Sequence, residues 1–258
     1  MLRDRRPHLR LLADKESVRE VIASKVGRQY SVPLIWSGDE SRTIPWDELP
    51  EEFVIKVNHG SGGRITVSTD APPEALLPAD PRGAPWQSFA VTPENALRER
   101  ISRLLDYWLT LNYSWFRGRF EWAYHSIPPR VLIEPMLKQE DGAISIDVKL
   151  YMFEGVLEIF IIEADIHLSE GQSVAFWPDR TRVTDTAVSR EFIPPACLPE
   201  LVSVAKKLST GEDFVRVDYL LAERPYVGEL TFYPRGGGKT HGAGRGHPTE
   251  RIGSKWSP

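Results

Sequence analysis

Two spacings of apolar residues run along the chain. Short runs with strand character occur at "YSVPLIW", "FVIKVNH", "RITV", "VLIEPML", "ISIDVKLYMF", "VLEIFIIEAD", "SVAFW", "FVRVDYLL" and "PYVGELTF", most of them apolar at every second residue. Helical spacing occurs three times. In "DKESVREVIASKVG", Val18, Val21, Ile22 and Val26 share a face between Asp14, expected as the cap, and Gly27, expected as the stop. In "TPENALRERISRLLDYWLTLNY", Thr92 is expected to cap and Pro93 to take the first helical position. Leu97, Ile101, Leu104, Leu105, Trp108 and Leu111 then form the stripe of the longest helix. The third is "LPELVSVAKKLS". Glu154-Gly155 reads as a tight hairpin turn, whereas residues 70 to 92, rich in proline and alanine, read as an irregular connection. Irregular interleaving of helices with antiparallel hairpins predicts an α+β protein in two lobes.

The alternation also places chemistry. In "FVRVDYLL" the apolar face is Val215, Val217, Tyr219 and Leu221, which leaves Arg216 and Asp218 opposite. In "PYVGELTF" the apolar set is Tyr226, Leu230 and Phe232, with Glu229 and Thr231 opposite. A turn at Glu223-Arg224 pairs 218 with 229 and 216 with 231, so two carboxylates face each other. Opposed like charges cost about 0.2 to 1 kcal/mol, and a Mg²⁺ ion would remove that cost. A solvated face on which Arg216 neutralises Asp218 is the other reading.

"FVIKVNHGSGGRITV" puts Lys56 and Asn58 on one strand face, ahead of a glycine-rich turn whose N–H groups are open to a phosphate or simply make a β-turn. In "VLIEPML", Glu134 and Pro135 interrupt an apolar strand, as where a chain leaves a sheet and exposes backbone to an adenine edge, with Met136 and Leu137 against the ring; a plain strand end is the alternative. "SIDVKLY" places Asp147 and Lys149 on one face. "GGGKT" at 236–240 is not a P-loop, because Tyr233 holds the place of the first glycine. No nucleophile elbow or metal-ligand histidine spacing occurs, and His59 and His167 read as structural or substrate-contacting.

Composition narrows the classes. The chain has 258 residues, 41% of them hydrophobic, enough for a sizeable core. A net charge of -4 lacks the bulk basic signature of nucleic-acid proteins, so phosphate recognition must be local. The single cysteine, Cys197, excludes an intramolecular disulfide or a cysteine zinc cluster and suits a reducing cytoplasm. The longest apolar run, "IFII", is too short for membrane insertion. Arg3, Arg5, Arg6 and Arg10 mark residues 1–13 as a solvated, partly disordered basic arm.

In order, these stretches resemble the ATP-grasp enzymes, and "DKESVRE", "LPEEFVIKVNHGSG", "DVKLYMFEG", "LSTGEDFVRVDYL", "VGELTFYPRGGG" and "PTERIGSKW" resemble the TupA-like branch, named for teichuronopeptide synthesis. The resemblance implies two lobes, 14–130 with the phosphate hairpin and 131–258 with the metal hairpin, gripping ATP. It places Lys56, Asn58, His59, Gly60, Ser61, Gly62, Gly63 and Lys149 on the phosphates, Glu134, Pro135, Met136 and Leu137 on adenine, and Asp147 on ribose. Asp218, Glu229 and Thr231 would hold Mg²⁺, Arg216 and Lys149 would act in catalysis, and Arg235, Gly236, Gly237 and Gly238 would close over substrate. The implied reaction joins small-molecule carboxylate and amine substrates through an acyl phosphate, with no protein nucleophile. A kinase acting on a hydroxyl, or a nucleotide-binding protein without turnover, are the other outcomes. Two features depart from many such ligases: Thr231 stands where asparagine is usual, and there is no room for a separate N-terminal domain of about 100 residues.

Overall fold

The computed structural model describes residues 5–118, 121–164, 171–183 and 188–234. One sheet has the order β1 (Trp36–Gly38), β5 (Val131–Pro135), β2 (Phe53–Val57), β3 (Arg64–Val67), β4 (Ser88–Val91). The other has the order β10 (Pro225–Thr231), β9 (Phe214–Leu221), β6 (Ile146–Phe153), β7 (Val156–Ala164), β8 (Gln172–Phe176). Neighbouring strands are antiparallel except β3 and β4, which are parallel. Among the described residues four α-helices accompany them: α1 (His8–Ala13), α2 (Val18–Val26), α3 (Arg98–Leu109) and α4 (Leu198–Leu208).

Each sheet has one apolar and one polar face, as strand alternation dictates. In the first, Phe53, Ile55, Val57, Ile65, Val67, Val131 and Ile133 join the core with Ile101, Leu104, Leu105 and Trp108 of α3. Each such side chain contributes about 1.5 to 3 kcal/mol through burial. The buried indole of Trp108 donates to the Ala84 carbonyl at 2.9 Å. In the second sheet, Val148, Leu150, Met152, Val215 and Val217 pack with Leu201, Ala205 and Leu208 of α4, and the buried Tyr219 hydroxyl donates to the Leu201 carbonyl at 2.8 Å. The polar faces look into a shared cleft of about 260 Å³.

Several local expectations change. Residues 8–13 are not a solvated arm: they form α1, with Leu9 and Leu12 buried, while Arg6 pairs with Glu212 at 3.0 Å and Asp213 at 2.8 Å. Asp14 does not cap α2, which starts at Val18; its carboxylate instead accepts from the Glu16 N–H and the Ser17 hydroxyl in the preceding turn. Gly27 does end the helix, at φ +107°. Pro93–Asn95 form a 3-10 turn, so α3 begins only at Arg98 and Leu97 is half exposed. Part of the "irregular" segment is β4, whose partner β3 is supplied from elsewhere in the chain. Sheet membership also departs from a division at residue 130, because β5 lies between β1 and β2 in the first sheet.

The β9–β10 register brings Asp218 opposite Glu229 and Arg216 opposite Thr231, as expected, but by a different route. Leu221 pairs with Pro225 across a longer turn, and a bulge between Val227 and Glu229 restores the offset. The bulge also reassigns a side chain: Val227 joins the main core, whereas Tyr226 pairs with Leu220 and packs with Val32 and Leu137 beside the cleft. Glu154 and Gly155, at φ +47° and +76°, turn β6 into β7 with the left-handed backbone such a hairpin requires.

Candidate active site

The cleft is lined from the first sheet by Val54, Lys56, Arg64, Thr66 and Glu134, and from the second by Asp147, Lys149, Arg216, Asp218 and Glu229. Lys15, from the turn between α1 and α2, also lines it. Five cations and four carboxylates are therefore concentrated in one concavity inside a chain of net negative charge.

The ion pairs show how the cations are held. Lys56 lies 2.7 Å from Glu134, which also receives Arg19 of α2 at 3.1 Å. Lys149 pairs with Glu163 of β7. Arg216 forks onto Asp218 with two bonds of 2.6 Å and donates to the Thr231 hydroxyl at 3.0 Å. Arg216 thus neutralises Asp218, but on a buried face and not on a solvated one. Among the described residues the Glu229 side chain makes no hydrogen bond or close ion pair, although the charges of Lys15, Arg216, Lys56 and Lys149 act on it. Lys15 donates to the Gly60 carbonyl.

Burial and neighbouring charge compete at each group. Burial pushes Lys15 below its ordinary value, helped by Lys56 and opposed by Glu229. Burial also pulls Lys149 down, but Asp218 and Glu163 outweigh it and keep the ammonium firmly charged. Burial lifts the Asp218 carboxyl against the pull of Arg216. It works the same way at Glu229, where Lys15, Arg216, Lys56 and Lys149 together hold the group below the usual carboxylate range.

Of the expected residues, Lys56, Ser61, Gly62, Glu134, Pro135, Met136, Leu137, Asp147, Lys149, Arg216, Asp218 and Glu229 come together on the cleft. Asn58 and His59 do not line it. Asn58 is fully buried, donating to Asp14 at 2.8 Å and Pro128 at 3.0 Å and accepting from the Arg130 N–H at 2.7 Å, so it ties three segments together. His59 is buried against Trp86 and held neutral by desolvation, its pKa lowered to about 4. The strand ends at Val57, and beyond it alternation no longer predicts a side chain's direction. Gly60 and Gly63 do not line the cleft either, and a Cβ on them would meet Trp86 and Val57. Thr231 reaches the site through Arg216. Arg235, Gly236, Gly237, Gly238, His167 and "PTERIGSKW" lie outside the described residues.

Lys15, Arg19, Arg64 and Glu163 went unnoticed in the sequence. Arg64 had a signal: it pairs with Lys56 in the β2–β3 hairpin and so shares its face. Glu163 was hidden by a bulge. Counting back from the Glu154-Gly155 turn pairs Asp147 with Ile162, but a register shift between Tyr151 and Met152 brings Glu163 opposite Asp147. Lys15 and Arg19 had no signal, because their position depends on how the N-terminal segment crosses the sheets.

A TupA-like ATPgrasp family model matches residues 1–243. The chain belongs to the TupA-like ATP-grasp family. No curated protein matches it in sequence. Among solved structures it is similar to the D-alanine–D-alanine ligase of Bacillus anthracis, at 17% identity over 86% of this chain and 57% of that one, with a TM-score of 0.44. It is also similar to the ATP-grasp ligase PsnB complexed with a phosphomimetic variant of minimal precursor, Mg and ADP, at 10% identity over 96% of this chain and 60% of that one, TM-score 0.48. D-cycloserine synthetase DcsG gives 17% identity over 87% and 63%, TM-score 0.44. This ATP-grasp chain thus spans about three fifths of the length of those proteins. Its two mainly antiparallel sheets agree with the α+β, two-lobed expectation. Among the described residues no helix is long and apolar enough to cross a membrane.

Proposed function

We propose that this ATP-grasp protein is an ATP- and Mg²⁺-dependent ligase that joins a carboxylate to an amine on a small molecule or a cell-surface glycan or peptide precursor. The observation that carries the reading is the convergence of five cations and the opposed pair Asp218 and Glu229 between two polar sheet faces. In this reading Lys15, Lys56, Arg64 and Lys149 bind the phosphates beside Ser61 and Gly62. The segment Glu134–Leu137 receives adenine and Asp147 the ribose. The donor set suits a hard cation: Glu229 has no bonded partner among the described residues, and Asp218 and Thr231 are oxygens that now accept from Arg216. Asp218, Glu229 and Thr231 would hold Mg²⁺, whose charge would offset that of the phosphates.

Arg216, which forks onto Asp218 beside the cations of the cleft, would stabilise charge on the transferring phosphoryl group. The substrate carboxylate attacks the terminal phosphorus and ADP leaves; the amine then attacks the acyl carbon, loses a proton and expels phosphate. The chain supplies orientation and charge. The test is ADP release with Mg²⁺ and pooled carboxylates and amines, with hydroxylamine as a trap and product mass as the readout. The expected gain is acid plus amine minus water. ADP without hydroxamate, accompanied by a stable phosphorylated product, would replace the ligase with a kinase; no ADP under any pool would refute both.

A further inference from the structure

A buried ion triad beside the cleft supports a further assignment, which rests on the nucleotide reading above. The Glu134 side chain, 5% exposed, lies between two cations: Lys56 at 2.7 Å on one oxygen and Arg19 at 3.1 Å on the other. Arg19 is itself largely buried and donates to the Val32 carbonyl as well. Lys56 lines the cleft, and Arg19 does not. A buried carboxylate stays ionised only where cations or hydrogen-bond donors compensate it, and at Glu134 two cations do so. If Lys56 alone did so, the pair would be neutral and would present no net charge to an anion. With two cations on one carboxylate the triad keeps one positive charge, and Lys56 is its member on the cleft.

We propose that Arg19 is a positioning residue for phosphate recognition: it neutralises Glu134 from outside the cleft and so leaves the Lys56 charge available to the ligand. Arg19 belongs to α2, which packs on α4 and β10, so the same contact ties the layer of the second sheet to β5 of the first. Removing Arg19 would weaken nucleotide binding without touching the nucleotide, and removing the Glu134 charge as well would recover part of the loss. A residue needed only for packing would not behave in this way.

The experiment is isothermal titration of the full chain with MgADP and with Mg²⁺ and a non-hydrolysable ATP analogue, with circular dichroism to establish that each variant is folded. Arg19→Met is expected to bind about tenfold more weakly or worse. Arg19→Lys, which keeps the charge, should stay within about threefold of the wild type, and the double variant Arg19→Met/Glu134→Gln should bind more tightly than Arg19→Met. Wild-type affinity in Arg19→Met, or a double variant no better than the single one, overturns the assignment while leaving the nucleotide reading intact. If Arg19→Met does not fold, Arg19→Lys decides, and a tenfold loss there overturns it. A wild-type chain that binds neither nucleotide refutes the nucleotide reading, and this assignment with it.

Discussion

Gly62 and Gly142 have nearly the same backbone, at φ +86° and +85°, in very different surroundings. A Cβ at Gly142 would meet nothing within 4 Å, whereas one at Gly62 would lie 1.9 Å from the Trp86 carbonyl oxygen. Gly142→Ala therefore measures left-handed strain alone, about 1 to 2 kcal/mol. Gly62→Ala adds a collision with backbone, about 1 Å inside the closest approach that real Cβ atoms make. Trp86 has little room to retreat: it is buried, at φ +58°, with its ring edge-on to His59 at 5.0 Å and Tyr113 at 5.1 Å. Overpacking of this kind costs about 1 to 3 kcal/mol more, so the expected totals are about 2 to 5 kcal/mol for Gly62→Ala against about 1 to 2 for Gly142→Ala. At about 2 to 4 °C per kcal/mol for a chain of this size, thermal unfolding should separate the two by roughly 2 to 12 °C. Equal losses would refute the claim that Trp86 pins the glycine hairpin. Because Gly62 also lines the cleft, MgADP affinity should fall in Gly62→Ala and hold in Gly142→Ala.

Three further outcomes are expected. Glu52 has its pKa lowered to about 2: burial opposes the shift, but Lys138, Ser68 and Thr69 outweigh it. The depressed carboxyl contributes stability above its unfolded value near 4.5 that is lost as pH falls toward 2, and Glu52→Gln should flatten that limb at a cost of about 2 kcal/mol at neutral pH. His59, held neutral to about pH 4, takes up its proton later folded than unfolded. Stability is thus fully present above about pH 6.5 and falls between 6.5 and 4, by roughly 3 kcal/mol at most, a loss that His59→Gln should remove from urea titrations. Tyr219→Phe deletes the buried bond to the Leu201 carbonyl and should cost about 1 to 2 kcal/mol in urea unfolding; no change would show that this bond does not help to dock α4 on the second sheet.

What could be read in advance follows a physical division. The faces of β2, β6 and β9 follow from alternation, a property of adjacent residues, and that was enough to place Lys56, Asp147, Lys149, Arg216 and Asp218 on polar faces. Bulges are invisible to counting. The one in β10 sends Val227 to the core and Tyr226 toward the cleft, and the one between β6 and β7 brings Glu163 opposite Asp147. Short elements such as β4 and α1 carry too few residues to show a period and owe their form to partners distant in sequence.

The sequence by itself determined which residues are charged, on which strand face most of them stand, and that Asp218 and Glu229 share a hairpin. Only the tertiary structure decided what those charges meet. It put the two polar faces together, carried Lys15 and Arg19 in from a helical segment, gave Glu134 two cations and turned Asn58 and His59 inward. The reason is range: alternation acts over two residues, whereas an ion pair such as Arg19–Glu134 joins residues far apart in the chain and forms only once the sheets have packed.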